Sequence, residues 1–384
     1  MNLLHDPVYF KKNEILRRAK LFEFPNPLAV ELFLWGCEIT FQLQKLSDAI
    51  ILKGGAAVQL HLPVEMQRGS IDVDVVARFD ENEILEIISD LKKSLGGDMS
   101  FRLHEPKEPI QNIPMKTFFV SVPSVLEMQD RDFLEIKIDF LMEDLDLPII
   151  QLEKIPTFAL DIEKITCFTR GVMIGDKILT LAKESVGLTL LSDYPKQIYD
   201  VEKLISHNNF SEEDVKHIIK SIKKYTILEI GYRAIDVSLS EVLTHIITTM
   251  DEYASIDTSK GEDNIKKSID SFQQFYVSKS QRSPYFGWSI KCLKIKFLIK
   301  LMLMNVDDQL SIADLCDFFN RSIKFSKKLE LIKGDIIKEY RGNLLEMAEE
   351  YIPYFKELRG KPLERVFWQV LTFNNLEKIE SLLD

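Results

Sequence analysis

Arg68-Gly69-Ser70-Ile71-Asp72-Val73-Asp74 is the stretch that decides how this chain is read. Alternate residues of a β-strand point to one side, so Asp72 and Asp74 share a face while Ile71, Val73 and Val75 turn to the other and can bury in a core. A small-residue turn comes just before, with Gly69 free in φ and Ser70 offering a hydroxyl. A short way upstream lies the pair Gly54-Gly55, directly after the apolar run Ile50-Ile51-Leu52 that reads as a short buried strand.

Around this stretch the first half of the chain mixes strand and helix signals. The spacing predicts a helix over 26–46 with Pro27 just inside its start, and another over 80–95 with Ile84, Leu85, Ile87, Ile88 and Leu91 at helical intervals. Strands are expected near 100–104 and 116–122. A further strand over 134–141 carries Glu135, Lys137 and Asp139 on one face and Ile136, Ile138 and Phe140 on the other. Beyond it, Pro148 and Pro156 mark irregular chain leading to a helix over 175–190, with a short helix resuming over 197–206 after Pro195. From about residue 209 strand signals almost vanish. Ser211-Glu212-Glu213-Asp214 reads as a capping box, and helices are expected over 288–304, 311–321, 324–350 and 363–383. The expected architecture is α+β, a mixed sheet flanked by helices over residues 1–208, followed by an all-α helical bundle over 209–384.

Composition bounds the function. The 384 residues suffice for roughly two domains of about 150 residues. The net charge of −11 excludes a generally basic nucleic-acid-binding surface, so contact with nucleic acid requires a local basic patch or a metal. Lys291, Lys294 and Lys296, with Lys327, Lys328, Lys333 and Lys338 further on, offer such a patch, the alternative being a solvated helix face. Cys37, Cys167, Cys292 and Cys316 are widely spaced and read as buried thiols of a reducing compartment. No basic-then-apolar leader is apparent at the N-terminus, and lysines interrupt the apolar run 288–304. The expectation is a cytoplasmic protein with no membrane partner.

If Asp72, Asp74 and Asp139 meet on adjacent strands, they form a hard oxygen site suited to Mg²⁺ or Mn²⁺. Two such ions about 3.5–4 Å apart can activate an attacking hydroxyl and stabilise a leaving pyrophosphate. The backbone at Gly69-Ser70 can hold phosphate oxygens of a nucleoside triphosphate, and a lysine can neutralise its charge. Taken singly, an Asp-x-Asp strand is most often a solvated face and a glycine pair a turn. It is their combination that points to nucleotidyl transfer.

Leu52-Lys53-Gly54-Gly55-Ala56-Ala57 followed by Arg68-Gly69-Ser70-Ile71-Asp72-Val73-Asp74 resembles the opening signature of the AbiEii/AbiGii-type nucleotidyltransferase toxins. These are the toxin halves of type IV, abortive-infection toxin–antitoxin pairs in the DNA polymerase β-like superfamily. Asp176-Lys177 to Lys183, then Lys196-Gln197-Ile198-Tyr199-Asp200, resembles the second signature, the likeness covering roughly residues 48–206. The resemblance implies a polymerase β-like fold and metal carboxylates Asp72, Asp74 and Asp139. It implies nucleotide contacts from Gly54, Gly55, Arg68, Gly69, Ser70, Lys177 and Lys196, with Lys177 on the triphosphate and Asp200 as closing acid. Gln197 stands where the family carries an acid, and Lys183 is a second lysine six residues beyond Lys177. The implied activity is transfer of a nucleoside monophosphate from an NTP to an acceptor hydroxyl, with RNA (a tRNA 3′ end among the candidates) as acceptor and a cognate antitoxin as partner. The alternative is a catalytically degenerate nucleotide-binding or protein-interaction module on the same fold.

Overall fold

The structure is a computed structural model. It describes residues 2–96, 99–104, 113–126, 132–329, 331–332, 335–348 and 355–383; Lys333 lies outside them. Seven strands form one sheet: β1 (Ile51–Lys53), β2 (Asp72–Val76), β3 (Ser100–Leu103), β4 (Met115–Pro123), β5 (Phe133–Leu141), β6 (Ile149–Pro156) and β7 (Asp161–Phe168). Their order across the sheet is β3-β4-β5-β2-β1-β7-β6. Two pairings, β2 with β5 and β1 with β7, are parallel; the rest are antiparallel. The α+β architecture expected from the sequence is therefore present.

One sheet face is the core. Val73, Val75, Val120, Val122, Ile136, Ile138 and Phe140 are fully buried. The helix Pro27–Leu46, started by the Asn26 side chain accepting from the Leu28 amide, packs on β2 and β5. Its Gly36 faces Val73, where an added Cβ would stand 3.5 Å from Val73 Cγ2, an ordinary van der Waals contact. The helix Glu81–Leu95 opens with a full capping box between Asp80 and Glu83 and buries Ile84, Ile88, Leu91 and Leu95. With hydrophobic burial near 25 cal/mol per Å², these side chains dominate the stability of the sheet layer.

Four expectations about this half need correcting. The chain after residue 148 is not irregular: β6 and β7 form an antiparallel hairpin at the sheet edge. Pro156 ends β6 on that edge, where a missing N–H is tolerated, and the mostly exposed β6 shows no apolar alternation. The next helix covers Arg170–Leu179 rather than 175–190, and Pro195 starts the helix Tyr194–His207 instead of interrupting one. Gly54 and Gly55 are likewise the first residues of a short helix, Gly54–Leu60, that leaves β1 without a loop.

The chain packs as two compact units. The first is Met1–Met173 with Gly231–Ala234 and Ser271–Arg282; the second is Ile174–Ile230, Ile235–Asp270 and Ser283–Asp384. Helix Tyr194–His207 belongs to the second because its buried Ile198, Val201, Leu204 and Ile205 pack with the helix Tyr285–Val306. In the second unit, Ser211 and Asp214 cap the helix Glu212–Arg233 reciprocally, as their spacing predicts. Gly175 meets that helix so closely that an added Cβ would overlap Ser221 Oγ.

The lysines of helix Tyr285–Val306 are neither a basic patch nor a solvated face. Lys291 and Lys294 converge on Glu202, at 3.7 and 3.4 Å, and Lys294 also reaches Glu364 at 3.4 Å. Lys296 binds both oxygens of Asp251, at 2.6 and 2.8 Å. The Lys300 ammonium caps the carbonyl end of helix Leu363–Phe373 through Leu371 O, Thr372 O and Asn374 O. Burial, with Lys296 nearby, pushes Lys300 down to about 8.

Burial would raise the Glu202 carboxyl, but Lys291, Lys294 and Lys203, with the Ser206 hydroxyl, outweigh it and hold it well below the usual carboxylate range. A depressed carboxyl contributes stability that is complete above its unfolded value, 4.5, and is lost as pH falls below that. Glu202→Gln leaves two buried ammonium groups without their shared carboxylate. It is expected to lower the unfolding free energy by about 3–5 kcal/mol at pH 7, with the variant and wild-type curves converging as pH falls below 4.5. Urea unfolding across that pH range measures both effects.

Candidate active site

The polar face of the sheet is assembled by register. Asp74 lies directly opposite Asp139 on the parallel neighbour β5 and opposite Lys53 on β1, while Asp139 lies opposite Thr117 on β4. Lys53, Asp74, Asp139 and Thr117 thus form one row across four strands. Asp72 lies opposite Lys137 in the next row. Residues paired across strands share a face, so the three expected carboxylates stand together on the side opposite Val73 and Val75. All three are partly buried.

A lysine stands among these acids. Lys137 Nζ donates to Asp139 Oδ2 at 2.5 Å, and Thr117 Oγ1 donates to Asp139 Oδ1 at 2.6 Å, so both oxygens of Asp139 are engaged. Burial alone would push the Lys137 ammonium down; its hydrogen bond to Asp139 and the charges of Asp139, Asp72 and Asp74 outweigh that and raise it. Glu135, the other acid of this strand face, pairs instead with Arg102 at 3.2 Å and belongs to the exposed end of the sheet.

The glycine pair closes against the acids. At Gly54 the backbone has φ +69°, and an added Cβ would fall 1.8 Å from Asp74 Oδ2; at Gly55 it would fall 2.7 Å from Ser70 Oγ. Only a residue without a side chain allows this approach. Gln59, fully buried one turn on, fastens the two motifs: its Nε2 donates to Gly55 O at 3.0 Å and its Oε1 accepts from the Arg68 amide at 2.8 Å. Gln67 does the same for the hairpin, donating to Leu62 O and Pro156 O and accepting from the Phe158 amide.

The turn itself differs from the phosphate-holding turn expected of it. The Arg68 amide is taken by Gln59, and the Gly69 amide donates to Tyr276 O at 2.8 Å. The buried Arg68 guanidinium donates to Gly69 O at 2.5 Å and lies over the Phe272 ring. Arg68 and Gly69 therefore hold the turn, and both the Ser70 hydroxyl and the Arg68 guanidinium lie beside Gly55. Tyr276 and Phe272 come from far along the chain, which is why no local pattern announces these bonds.

Lys177, Lys196, Gln197 and Asp200 lie in the second unit. Lys177 and Asp200 are buried, with Nζ 4.0 Å from Asp200 Oδ2. Lys196 pairs with Asp193 at 2.9 Å. Gln197, one turn before Asp200, is buried with Oε1 lacking a hydrogen-bond partner. Lys183 reaches outward to Glu252 at 2.8 Å, unlike the buried Lys177.

Among the described residues no group of three or more His, Cys, Asp or Glu side chains is already gathered to hold a metal ion. The donor set nonetheless fits one: three hard carboxylates share a face, and an ammonium already stands among them as a cation. None of the described helices is long and apolar enough to cross a membrane.

A mixed sheet bearing such an acid face beside a glycine pair is the architecture of a nucleotidyltransferase. The chain belongs to the AbiEii family, nucleotidyl transferase toxins of type IV toxin–antitoxin systems, whose model matches residues 39–273, more than half of its length. The match runs past residue 206, where the signatures end, through the helices Glu212–Arg233 and Leu239–Ala254. The crystal structure of an antigenic nucleotidyltransferase-like protein from Paracoccidioides brasiliensis aligns with 55% of this chain and 91% of its own at 15% identity and a TM-score of 0.33. No curated protein matches the sequence.

Gly54→Ala forces a side chain into a left-handed backbone position and onto Asp74 Oδ2. The expected result is a loss of roughly 1–3 kcal/mol in stability, read by chemical denaturation, whereas Gly96→Ala, also at positive φ but with nothing within 4 Å of the new Cβ, carries backbone strain alone.

Proposed function

We propose that this toxin is a metal-dependent nucleotidyltransferase that moves a nucleoside monophosphate from an NTP to an acceptor hydroxyl on RNA, releasing pyrophosphate. The observation that carries the reading is the register Asp74 opposite Asp139 with Asp72 on the same face, closed on one side by Gly54. Asp72, Asp74 and Asp139 would hold Mg²⁺ or Mn²⁺. Bound there, the ion would polarise the α-phosphate and lower the pKa of the attacking hydroxyl. Gly54 and Gly55 let the short helix close on Asp74 and Ser70, and the Ser70 hydroxyl donates to phosphate oxygens of the nucleotide. Lys177 neutralises triphosphate charge, its ammonium oriented by Asp200, and Lys196 adds a second cation. A tRNA 3′ end is the acceptor most in keeping with the family resemblance, and an antitoxin the corresponding partner. Residues 1–208 contain every residue assigned to the chemistry, and the helices of 209–384 give a framework for acceptor or partner.

A second reading, a degenerate binding module, draws on Gln197, an amide where the family carries an acid. Its buried Oε1 without a hydrogen-bond partner suits a residue that is not yet satisfied by the protein itself. One assay separates the two readings. Purified protein is incubated with Mg²⁺, each α-labelled NTP in turn and total bacterial RNA, beside an Asp72→Ala/Asp74→Ala variant. The expected outcome is label in RNA with one or more nucleotides, reduced at least about 100-fold in the variant. NTP binding without label in RNA or protein would sink the enzyme reading for this chain, and Gln197→Asp would then be the variant to test for restored turnover.

A further inference from the structure

Three carboxylates on adjacent sheet positions repel one another strongly when nothing neutralises them, because each partly buried pair of charges a few ångströms apart interacts by several kcal/mol. In this protein the neutralising charge is supplied from within. Lys137 stands opposite Asp72 in the β2–β5 register and two residues from Asp139, so its side chain rises from the centre of the acid face. Its ammonium donates to Asp139 Oδ2, and Thr117 occupies the other oxygen. In this arrangement both Asp139 oxygens already accept a hydrogen bond, and the positive charge of the ammonium on Oδ2 opposes a second cation there.

We propose that Lys137 is a resident counter-ion of the acid face, a tethered cation that a divalent ion must displace from Asp139 in order to bind. The inference rests on the reading above that Asp72, Asp74 and Asp139 hold the metal. The geometry permits the exchange. The Lys137 side chain is 37% exposed whereas that of Asp139 is 14% exposed, so the ammonium can swing into water on its flexible stem while the carboxylate stays. The Thr117 hydroxyl, by contrast, can remain on Oδ1 and hold the carboxylate in orientation, as partners of metal-ligating carboxylates do. Lys137 thereby sets the cation concentration at which the site fills, and it protects the fold from its own acids while the site is vacant.

The test uses Mn²⁺ alone, titrated by calorimetry into the full-length protein. Lys137→Met, which keeps the stem and removes the charge, is expected to bind Mn²⁺ about ten- to a hundredfold more tightly than wild type and to melt at a lower temperature without metal, the difference shrinking as Mn²⁺ is added. Lys137→Arg keeps a positive charge and is expected to stay close to wild type. The tighter binding vanishes when Asp72→Ala/Asp74→Ala is added. Because a neutral side chain there invites misfolding, a second measurement uses wild-type protein labelled on its lysine side chains. The Lys137 ammonium resonance, assigned by its loss in Lys137→Arg, is expected to shift as Mg²⁺ saturates the protein. Equal Mn²⁺ affinity in wild type and Lys137→Met, still abolished by the Asp72/Asp74 substitutions, or an unmoved Lys137 resonance at Mg²⁺ saturation, overturns the counter-ion role and leaves the metal site standing. No Mn²⁺ binding by either protein overturns the metal reading itself and the counter-ion role with it.

Discussion

Everything on the acid face depends on how closely two glycines approach β2. Gly54 leaves β1 at a positive φ with Asp74 against it, and Gly55 brings its backbone to Ser70. A single methyl group at either position would push the short helix Gly54–Leu60 off the strand that carries the carboxylates. Gln59 then locks the contact by bonding the carbonyl of Gly55 and the amide of Arg68 at once. Two motifs separated in sequence thereby become one rigid unit, in which the carboxylates are positioned by backbone rather than by mobile side chains.

The same unit explains why the strand can bear so much negative charge. Val73 and Val75 are anchored in the core on the other face, with the helix Pro27–Leu46 pressed against Val73. Burial of these apolar groups offsets the electrostatic cost of placing Asp72 and Asp74 side by side. Lys137 and Thr117 reduce that cost further from β5 and β4. Charge management in the helical unit follows a similar logic: the lysines of helix Tyr285–Val306 are buried because Glu202, Glu364 and Asp251 meet them, and Lys300 because three carbonyls do. In both units these buried charges are met by groups of opposite charge or by carbonyl oxygens.

Where sequence reading succeeded, a local rule was sufficient. Period-two alternation identified β2 and β5 and which residues share a face; helical spacing located the helix 81–95, and a capping pattern the start of the helix 212–233. Where it failed, the deciding contact was remote. In the β6–β7 hairpin the apolar residues Ile149, Ile150, Leu152, Ile155, Ile162 and Ile165 fall out of strict alternation, so periodicity had nothing to register. The lysines 291, 294 and 296 look like a polar helix face in any window, since only the packing of helices 194–207 and 239–254 brings Glu202 and Asp251 to them.

The sequence by itself determined that Asp72 and Asp74 share a face, that a glycine pair precedes them, that Asp139 alternates with apolar residues on another strand, and that the motifs carry the mark of the AbiEii nucleotidyltransferases. These are properties of spacing, and spacing survives in one dimension. Only the tertiary structure decided that β5 runs parallel to β2 in the register that sets Asp139 opposite Asp74 and Lys137 opposite Asp72, and that Tyr276 takes the Gly69 amide. The physical reason is that alternation fixes the face of a residue within its own strand but says nothing of the register between strands. A shift of one residue would turn Asp139 to the core, and one of two would set it opposite another residue of β2; the side chains packed on both faces exclude these shifts.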